Sequence, residues 1–240
     1  MSRQLGRQRL TGASSMRRLS SRCTRWYENR AWRGGAARVA GVDEVGRGAL
    51  FGPVVAAAVV LHPARRIPGL NDSKLLTPQE REALAPRIRA AALSWAVAAV
   101  DAGRIDNINI YQASRQAMIE AVRALEPAPD YLLVDAMVLA WEGRQLALVH
   151  GDARSASIAA ASVLAKVHRD GLMQAWDTVY PAYGLAGNKG YGTPEHLAAL
   201  LQLGVTPLHR RSYRPVQVAL HDPGYREAAP GYREAGAESG

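Results

Sequence analysis

The chain has 240 residues, 48% of them hydrophobic, with a formal net charge of +9, which is enough apolar material for one domain-sized core. No apolar run reaches the roughly 18 residues of a spanning helix before Arg, Asp, Gln or Pro interrupts it, which argues against a helical membrane protein. The single cysteine, Cys23, cannot form an internal disulfide and fits a reducing compartment, and without Cys/His zinc spacing any metal must be held mainly by carboxylates, which suits magnesium or manganese.

The charge is unevenly placed. Met1 to Ala40 contains ten arginines and one acid, Glu28, a net of +9, so Gly41 to Gly240 balances to zero. The overall pI therefore says little about the body's partners. Residues 1–36 are rich in Arg, Ser and Gly without periodicity and are expected to be a disordered leader. A basic arm for nucleic acid, an organellar transit peptide and an upstream artefact with a start at Met16 or later are its three readings. A dispensable segment is favoured.

In chain order, Ala37–Asp43 is expected as a strand ending at an acid pair, and Pro53–Leu61 as its hairpin partner. Thr77 as N-cap, Pro78 at the first position and Glu80 at the third predict a helix over 78–92, with Pro86 as a potential break. A strand over 94–102, an amphipathic helix over 109–125, and strands over 130–136 and 145–152 follow. Residues 155–176 form a helix with a small-residue face, suited to lying close against a sheet. A catalytic body over 37–218, helical from about 178, and a flexible tail over 219–240 complete the chain. The order predicts an α/β fold with a mixed sheet.

Asp43, Glu44, Asp135 and Asp152 each follow an apolar, strand-like run. Strands paired side by side would bring them together, and four converging carboxylates repel unless cations intervene. Two divalent ions would resolve that repulsion and serve an in-line phosphoryl displacement. A single Asp is more often a helix cap or turn residue, and Asp152 ahead of Ala-Arg-Ser could cap. The recurrence of one pattern at four acids favours chemistry. Asp72 and Asp170 lack that setting and read as a turn residue and an ion-pair partner. His168, His196 and His209 read as surface or packing residues rather than ligands.

The segments GVDEVGRGALFGPVVAAAVVL, NDSKLL, INIYQAS, LLVDA, GDARSASIAAASVLAKVHRD, NKGYGTPEHL and HRRSYRPV occur in this order between about Val39 and Val216. Together they resemble ribonuclease HII of the bacterial type. The resemblance implies a ribonuclease H-like fold, a mixed central sheet flanked by helices with a small helical C-terminal extension. It also implies cleavage of the RNA strand in RNA/DNA hybrids and 5′ of single ribonucleotides in duplex DNA, leaving 5′-phosphate and 3′-hydroxyl ends. Magnesium or manganese would sit in a two-metal site on Asp43, Glu44, Asp135 and Asp152. Gly46, Arg47 and Gly48 match the loop that reads the RNA-to-DNA junction, and Tyr191 matches the tyrosine that stacks on the deoxynucleotide side. Glycines there would let backbone groups approach a 2′-hydroxyl. Arg47, Lys74, Lys166, Arg169 and Lys189 are candidates for phosphate contacts. The chain departs from the family pattern at Ala136, Asn188 and Phe51, where Gly, His and a small residue are usual; Asn188 is expected to weaken substrate positioning.

A non-catalytic hybrid-binding module and a related nuclease acting on branched DNA are the competing functions. Carboxylates beside phosphate argue against the first, and a requirement for a 2′-hydroxyl separates the second. A monomer in the cytoplasm, with no membrane partner, is expected. A sliding-clamp contact in either tail is conceivable, but neither carries a clear motif for one.

Overall fold

The computed structural model describes residues 23–71 and 73–221. The first 22 residues of the expected leader, Asp72, and the tail from 222 with its repeated Gly-Tyr-Arg-Glu-Ala lie outside the described residues, as does any clamp contact there.

Five strands, β1 (Val39–Val45), β2 (Val54–Leu61), β3 (Ala92–Val100), β4 (Tyr131–Asp135) and β5 (Arg144–Leu148), form one sheet in the order β3-β2-β1-β4-β5. β1, β2 and β3 form an antiparallel meander, while β4 and β5 add in parallel to β1. The sheet is therefore mixed, as the α/β expectation required. Every residue of β2 is buried, which explains its unbroken Val/Ala composition: a central strand covered on both faces has no polar side to show.

Helices cover the two faces. On one side α4 (Ile110–Arg123) sets Ala113, Ala117, Met118 and Ala121 against Val42, Val54, Ala56 and Ala58. On the other, α2 (Pro78–Ala91) and the long α6 (Ala156–Val179) pack Leu84, Ile88, Ala160 and Leu164 against Val55, Ala57 and Val59. The small-residue face of α6 lets it lie directly on β1. A Cβ placed on Gly41 would stand 2.0 Å from the Ser157 carbonyl carbon, so only glycine is tolerated there.

The predicted capping box forms, with Thr77 Oγ1 accepting from the Glu80 amide at 3.2 Å and the Thr77 amide donating to Glu80 at 2.7 Å. Pro86 lies inside α2 without ending it. Asp101 leaves the expected strand and instead N-caps the short α3 (Ala102–Ile108). The expected strand 145–152 stops at Leu148; a left-handed His150 then turns the chain into a four-residue helix, α5 (Gly151–Arg154), which carries Asp152. The helical C-terminal portion comprises α7 (Leu185–Asn188), α8 (Pro194–Leu203) and α9 (Arg214–His221), so helix continues three residues past the boundary set at 218.

The boundary set at 36 also moves. Trp26–Arg33 forms a helix, α1, whose Ala31 packs with Val39, Leu133, Leu148 and Ile158. Its alternation of aromatic and arginine residues hides this from a composition-based reading, because Tyr27 and Trp32 pack partly while the arginines stay outside.

Candidate active site

Asp43 and Asp135 are placed by strand register. The last paired residues of β1 and β4 are Val42 and Val134, and each aspartate is the next residue along its strand. Parallel neighbours about 4.8 Å apart present in-register side chains to the same face, so the two carboxylates stand side by side, facing α6. Glu44 follows on β1. Asp152 arrives from the α5 turn, which is docked by the Gly151 amide donating to Asp135 Oδ1 at 2.7 Å. A Cβ on Gly151 would approach Ile158 to 2.6 Å and Asp135 Oδ1 to 3.1 Å, which explains the glycine ahead of Asp152.

Two of these acids sit away from water, Asp43 at 5% exposed and Asp152 at 2%, while Glu44 and Asp135 are partly covered. Burial pushes the Asp43 carboxyl well above its usual range, and the negative charges of Glu44, Asp135 and Asp152 push it further, against a hydrogen bond from Ser162. Glu44 is raised by burial, with Arg47 opposing and Asp135 adding. Asp135 is raised by burial and by Asp152, while the Gly151 amide and Lys74 oppose. The fold has thus gathered like charges where each destabilises the next. Lys74 Nζ pairs with Asp152 Oδ2 at 2.9 Å, and Arg47 with Glu44 Oε1 at 3.4 Å. Glu44 Oε2 is buried with no hydrogen-bond partner. Among the described residues no group of three or more His, Cys, Asp or Glu side chains is arranged to hold a metal ion as it stands. The donor set is nevertheless all-oxygen, and an orphaned carboxylate oxygen beside mutually repelling neighbours is what a hard divalent cation would satisfy.

Beside the acids lies the glycine turn. The Ala49 amide donates to Gly46 O at 3.3 Å, closing a turn whose tip, Arg47 and Gly48, is exposed. Gly46 has φ of 91°, and a Cβ there would meet Arg169 Nε at 2.1 Å. The turn is held from beneath by two fully buried arginines. Arg169 donates to Pro53 O (3.2 Å), Phe51 O (3.1 Å) and Lys189 O (2.7 Å), and burial lowers its pKa to about 10. Arg210 donates to Gly52 O and Arg47 O, each at 2.9 Å, and to the Tyr213 hydroxyl at 3.0 Å. Arg169 also lies over the Tyr191 ring, 5.5 Å from its centroid, and Leu50 N bonds Gly190 O at 2.8 Å. Tyr191 therefore stands next to Gly48, 3.9 Å from where a Cβ there would be.

The expected phosphate ligands divide. Arg47, with 44% of its side chain exposed, and Lys74, with 74%, are within reach of solvent at the acid edge. Lys189 is half-buried on the Tyr191 loop. Lys166 instead pairs with Asp170 at 2.7 Å, on the side of α6 where Arg81 of α2 also approaches Asp170. Arg169 must be withdrawn as a phosphate ligand, because it has no exposed surface and spends its donors on backbone carbonyls. Asp170 is the ion-pair partner it was read to be. His168 is exposed.

His196 and His209 are packing residues, as expected, but with a further role. The Thr206 amide donates to His209 Nδ1 (3.1 Å), so His209 carries its proton on Nε2, directed at His196 Nε2 (3.2 Å). His196 must then donate from Nδ1 to Tyr191 O at 2.9 Å. A relay of neutral imidazoles thus pins the Tyr191 backbone, and burial followed by the neighbouring His196 pushes His209 down to about 3. Asn188 works on the same loop: Nδ2 donates to Tyr183 O at 2.7 Å and Oδ1 accepts from the Gly190 amide at 2.8 Å. Arg210, Ser162 and the hold of the histidine pair on Tyr191 carry no mark in the local sequence. Arginine is usually a surface residue, and nothing in its local pattern distinguishes one turned inward onto carbonyls.

The family model for ribonuclease HII matches residues 40–216. The chain belongs to the ribonuclease HII family. It is 55% identical to the ribonuclease HII of Koribacter versatilis, over 88% of this chain and 84% of that one. It is 59% identical to that of Solibacter usitatus, over 82% and 86%. Among solved structures it is similar to the ribonuclease H2 of Pyrococcus horikoshii, with a TM-score of 0.70 and 27% identity over 79% of this chain and 99% of that one. It also matches the ribonuclease HII of Archaeoglobus fulgidus in its complex with PCNA, with a TM-score of 0.64 and 25% identity over 77% and 97%. The protein is a ribonuclease H-type endonuclease with a ribonuclease H-like α/β fold. No helix among the described residues is long and apolar enough to cross a membrane.

Proposed function

We propose that this endonuclease hydrolyses the RNA strand of RNA/DNA hybrids and cuts 5′ of single ribonucleotides embedded in duplex DNA, leaving 5′-phosphate and 3′-hydroxyl ends. The observation that carries the reading is the adjacency of two features: the carboxylates of Asp43, Glu44, Asp135 and Asp152, and the exposed Gly46–Gly48 turn with Tyr191 beside it. Asp43, Glu44, Asp135 and Asp152 would hold magnesium or manganese, which supplies an activated water and a charge to offset the departing 3′-oxygen.

The chain's own groups supply selection and placement. At the tip of the turn, the amides of Arg47 and Gly48 make no backbone hydrogen bond among the described residues, leaving them free to meet a 2′-hydroxyl, which both donates and accepts. Gly48 presents no side chain to block that approach. Tyr191 offers a ring face on which the neighbouring nucleotide can stack, and the buried arginines keep ring and turn in one geometry. Arg47, Lys74 and Lys189 supply positive charge for the phosphates on either side of the cut. Asn188, where a histidine is usual, spends both ends of its amide on the loop that presents Tyr191. That arrangement favours preserved substrate positioning over the weakening expected from sequence.

The test is a DNA duplex carrying one ribonucleotide, incubated with the protein in magnesium and in manganese. A single cut 5′ of the ribonucleotide, absent from an all-DNA duplex, is the expected result. Cutting of the all-DNA or a branched DNA substrate at the same rate would overturn the proposal.

A further inference from the structure

Glu28, the one acid among the arginines of the first forty residues, is 1% exposed. Its Oε1 accepts three hydrogen bonds: from Ser155 Oγ (2.6 Å), Ser157 Oγ (2.7 Å) and the Ser157 amide (2.8 Å). The Ala156 amide donates to Thr24 O at 3.0 Å, and Tyr27 bonds Arg154 through its hydroxyl while its ring lies 5.1 Å from that guanidinium. The segment from Thr24 to Glu28 thus contacts every residue from Arg154 to Ser157. Those four residues are the joint between α5 and α6, where Ser155 adopts an extended conformation between two helices.

The first amides of a helix lack intrahelical acceptors. At α6 two of them, on Ala156 and Ser157, are satisfied by the distant N-terminal segment, and Ser155 Oγ takes the Ile158 amide at 3.3 Å. A carboxylate is also the favoured charge at that end of a helix. The same joint fixes α5, hence Asp152, against Asp135. It also fixes the start of α6, hence Ser162, against Asp43.

We propose that Glu28 is a positioning residue for the reaction: by holding Ser155 and Ser157 it sets the α5–α6 joint and thereby the place of Asp152 relative to Asp43 and Asp135. This rests on the assignment of Asp152 to the reactive centre made above. The described end of the stretch expected to be dispensable is, on this view, part of the active-site scaffold.

The test compares Glu28→Ala, Glu28→Gln and Ala31→Gly, the last a control that weakens α1 and its apolar packing while leaving the polar contacts to the joint in place. Thermal unfolding, kcat and KM on the single-ribonucleotide duplex, and manganese affinity of the free protein by calorimetry are read for each. Misplacing a supporting group costs on the order of tenfold or more in rate. Glu28→Ala is therefore expected to lower kcat about tenfold and manganese affinity several-fold, with KM within about twofold. Glu28→Gln, which keeps shape and acceptor, restores most of both, and Ala31→Gly lowers Tm with kcat near wild type. Equal kcat losses in Ala31→Gly and Glu28→Ala, or a Glu28→Ala enzyme within about twofold of wild type in kcat and manganese affinity, would overturn the proposal. Should Glu28→Ala fail to fold, Ser157→Ala removes one of the three donors to Glu28, the Ser157 hydroxyl, and keeps the Ser157 amide and the Ser155 hydroxyl; a drop in kcat supports the role and unchanged kcat overturns it. If the wild-type protein leaves the ribonucleotide duplex uncut, the functional reading fails, while the manganese titration still decides the place of Glu28.

Discussion

The acid edge and the glycine turn lie side by side, yet they are built on opposite electrostatic terms. At the acid edge, buried carboxylates face one another with two partial counter-charges, from Lys74 and Arg47, and Asp43 is held far from its usual ionisation. Beneath the turn, two buried guanidiniums are matched to carbonyls: Arg169 to those of Phe51, Pro53 and Lys189, Arg210 to those of Arg47 and Gly52. Burying a charge is costly unless hydrogen bonds satisfy it. The turn therefore contributes rigidity, whereas the acid edge stores repulsion for use by a cation and a substrate. Removing charge should have opposite consequences in the two places.

The largest effect is expected at the acid edge. Asp43→Asn should reduce cleavage by about three orders of magnitude or more, since the metal-binding charge is lost. It should also raise stability, by about 1 kcal/mol, because a desolvated carboxylate repelled by three others is removed. A fall in Tm comparable to the activity loss would show that Asp43 is structural and would erase the contrast.

At the turn, Arg169→Leu should destabilise by about 3 kcal/mol, since three carbonyls lose a donor in a dry setting. Activity at low temperature should fall less than in Asp43→Asn. Chemical denaturation with parallel kinetics measures both. An Arg169→Leu protein of unchanged stability but lost substrate affinity would restore arginine 169 to the phosphate ligands.

Acid should act on the histidine relay. His209 has a folded-state pKa of about 3, below the 6.5 of the unfolded chain, so the unfolded state binds the extra proton first. Its contribution to stability is intact above pH 6.5 and is lost progressively as pH falls toward 3. Between pH 7 and pH 5, Tm should drop more in the wild type than in His209→Gln, which does not titrate. Parallel Tm profiles for the two would remove the relay from the account.

The smallest change concerns Ala136, at φ of 51° with its amide bonded to Leu148 O at 3.0 Å. A left-handed alanine costs on the order of 1 kcal/mol, nearly offset by the flexibility glycine adds to the unfolded chain. Ala136→Gly should leave stability within about 1 kcal/mol and kcat unchanged. A large gain in kcat would mean that strain next to Asp135 limits the present enzyme.

Much of this was legible in the chain itself. The β1–β2 hairpin, α2 with its capping box, α4 and the long small-faced α6 follow from period, cap and composition, which act over a few residues. The recurrence of acids after apolar runs singled out Asp43, Glu44, Asp135 and Asp152, and the ordered motifs carried the family. What the chain could not show depended on contacts between residues far apart in it. Asp152 sits on a short helix instead of a strand end because the Gly151 amide donates to Asp135 Oδ1. Arg169 and Arg210 are buried because carbonyls from the 46–53 turn and Lys189 converge on them. Glu28 turns inward because the serines at the start of α6, more than 120 residues later, offer donors. Local preferences fix elements, but where a charged side chain ends is decided by which hydrogen-bond partners the folded chain brings to it, and only the tertiary structure supplies those.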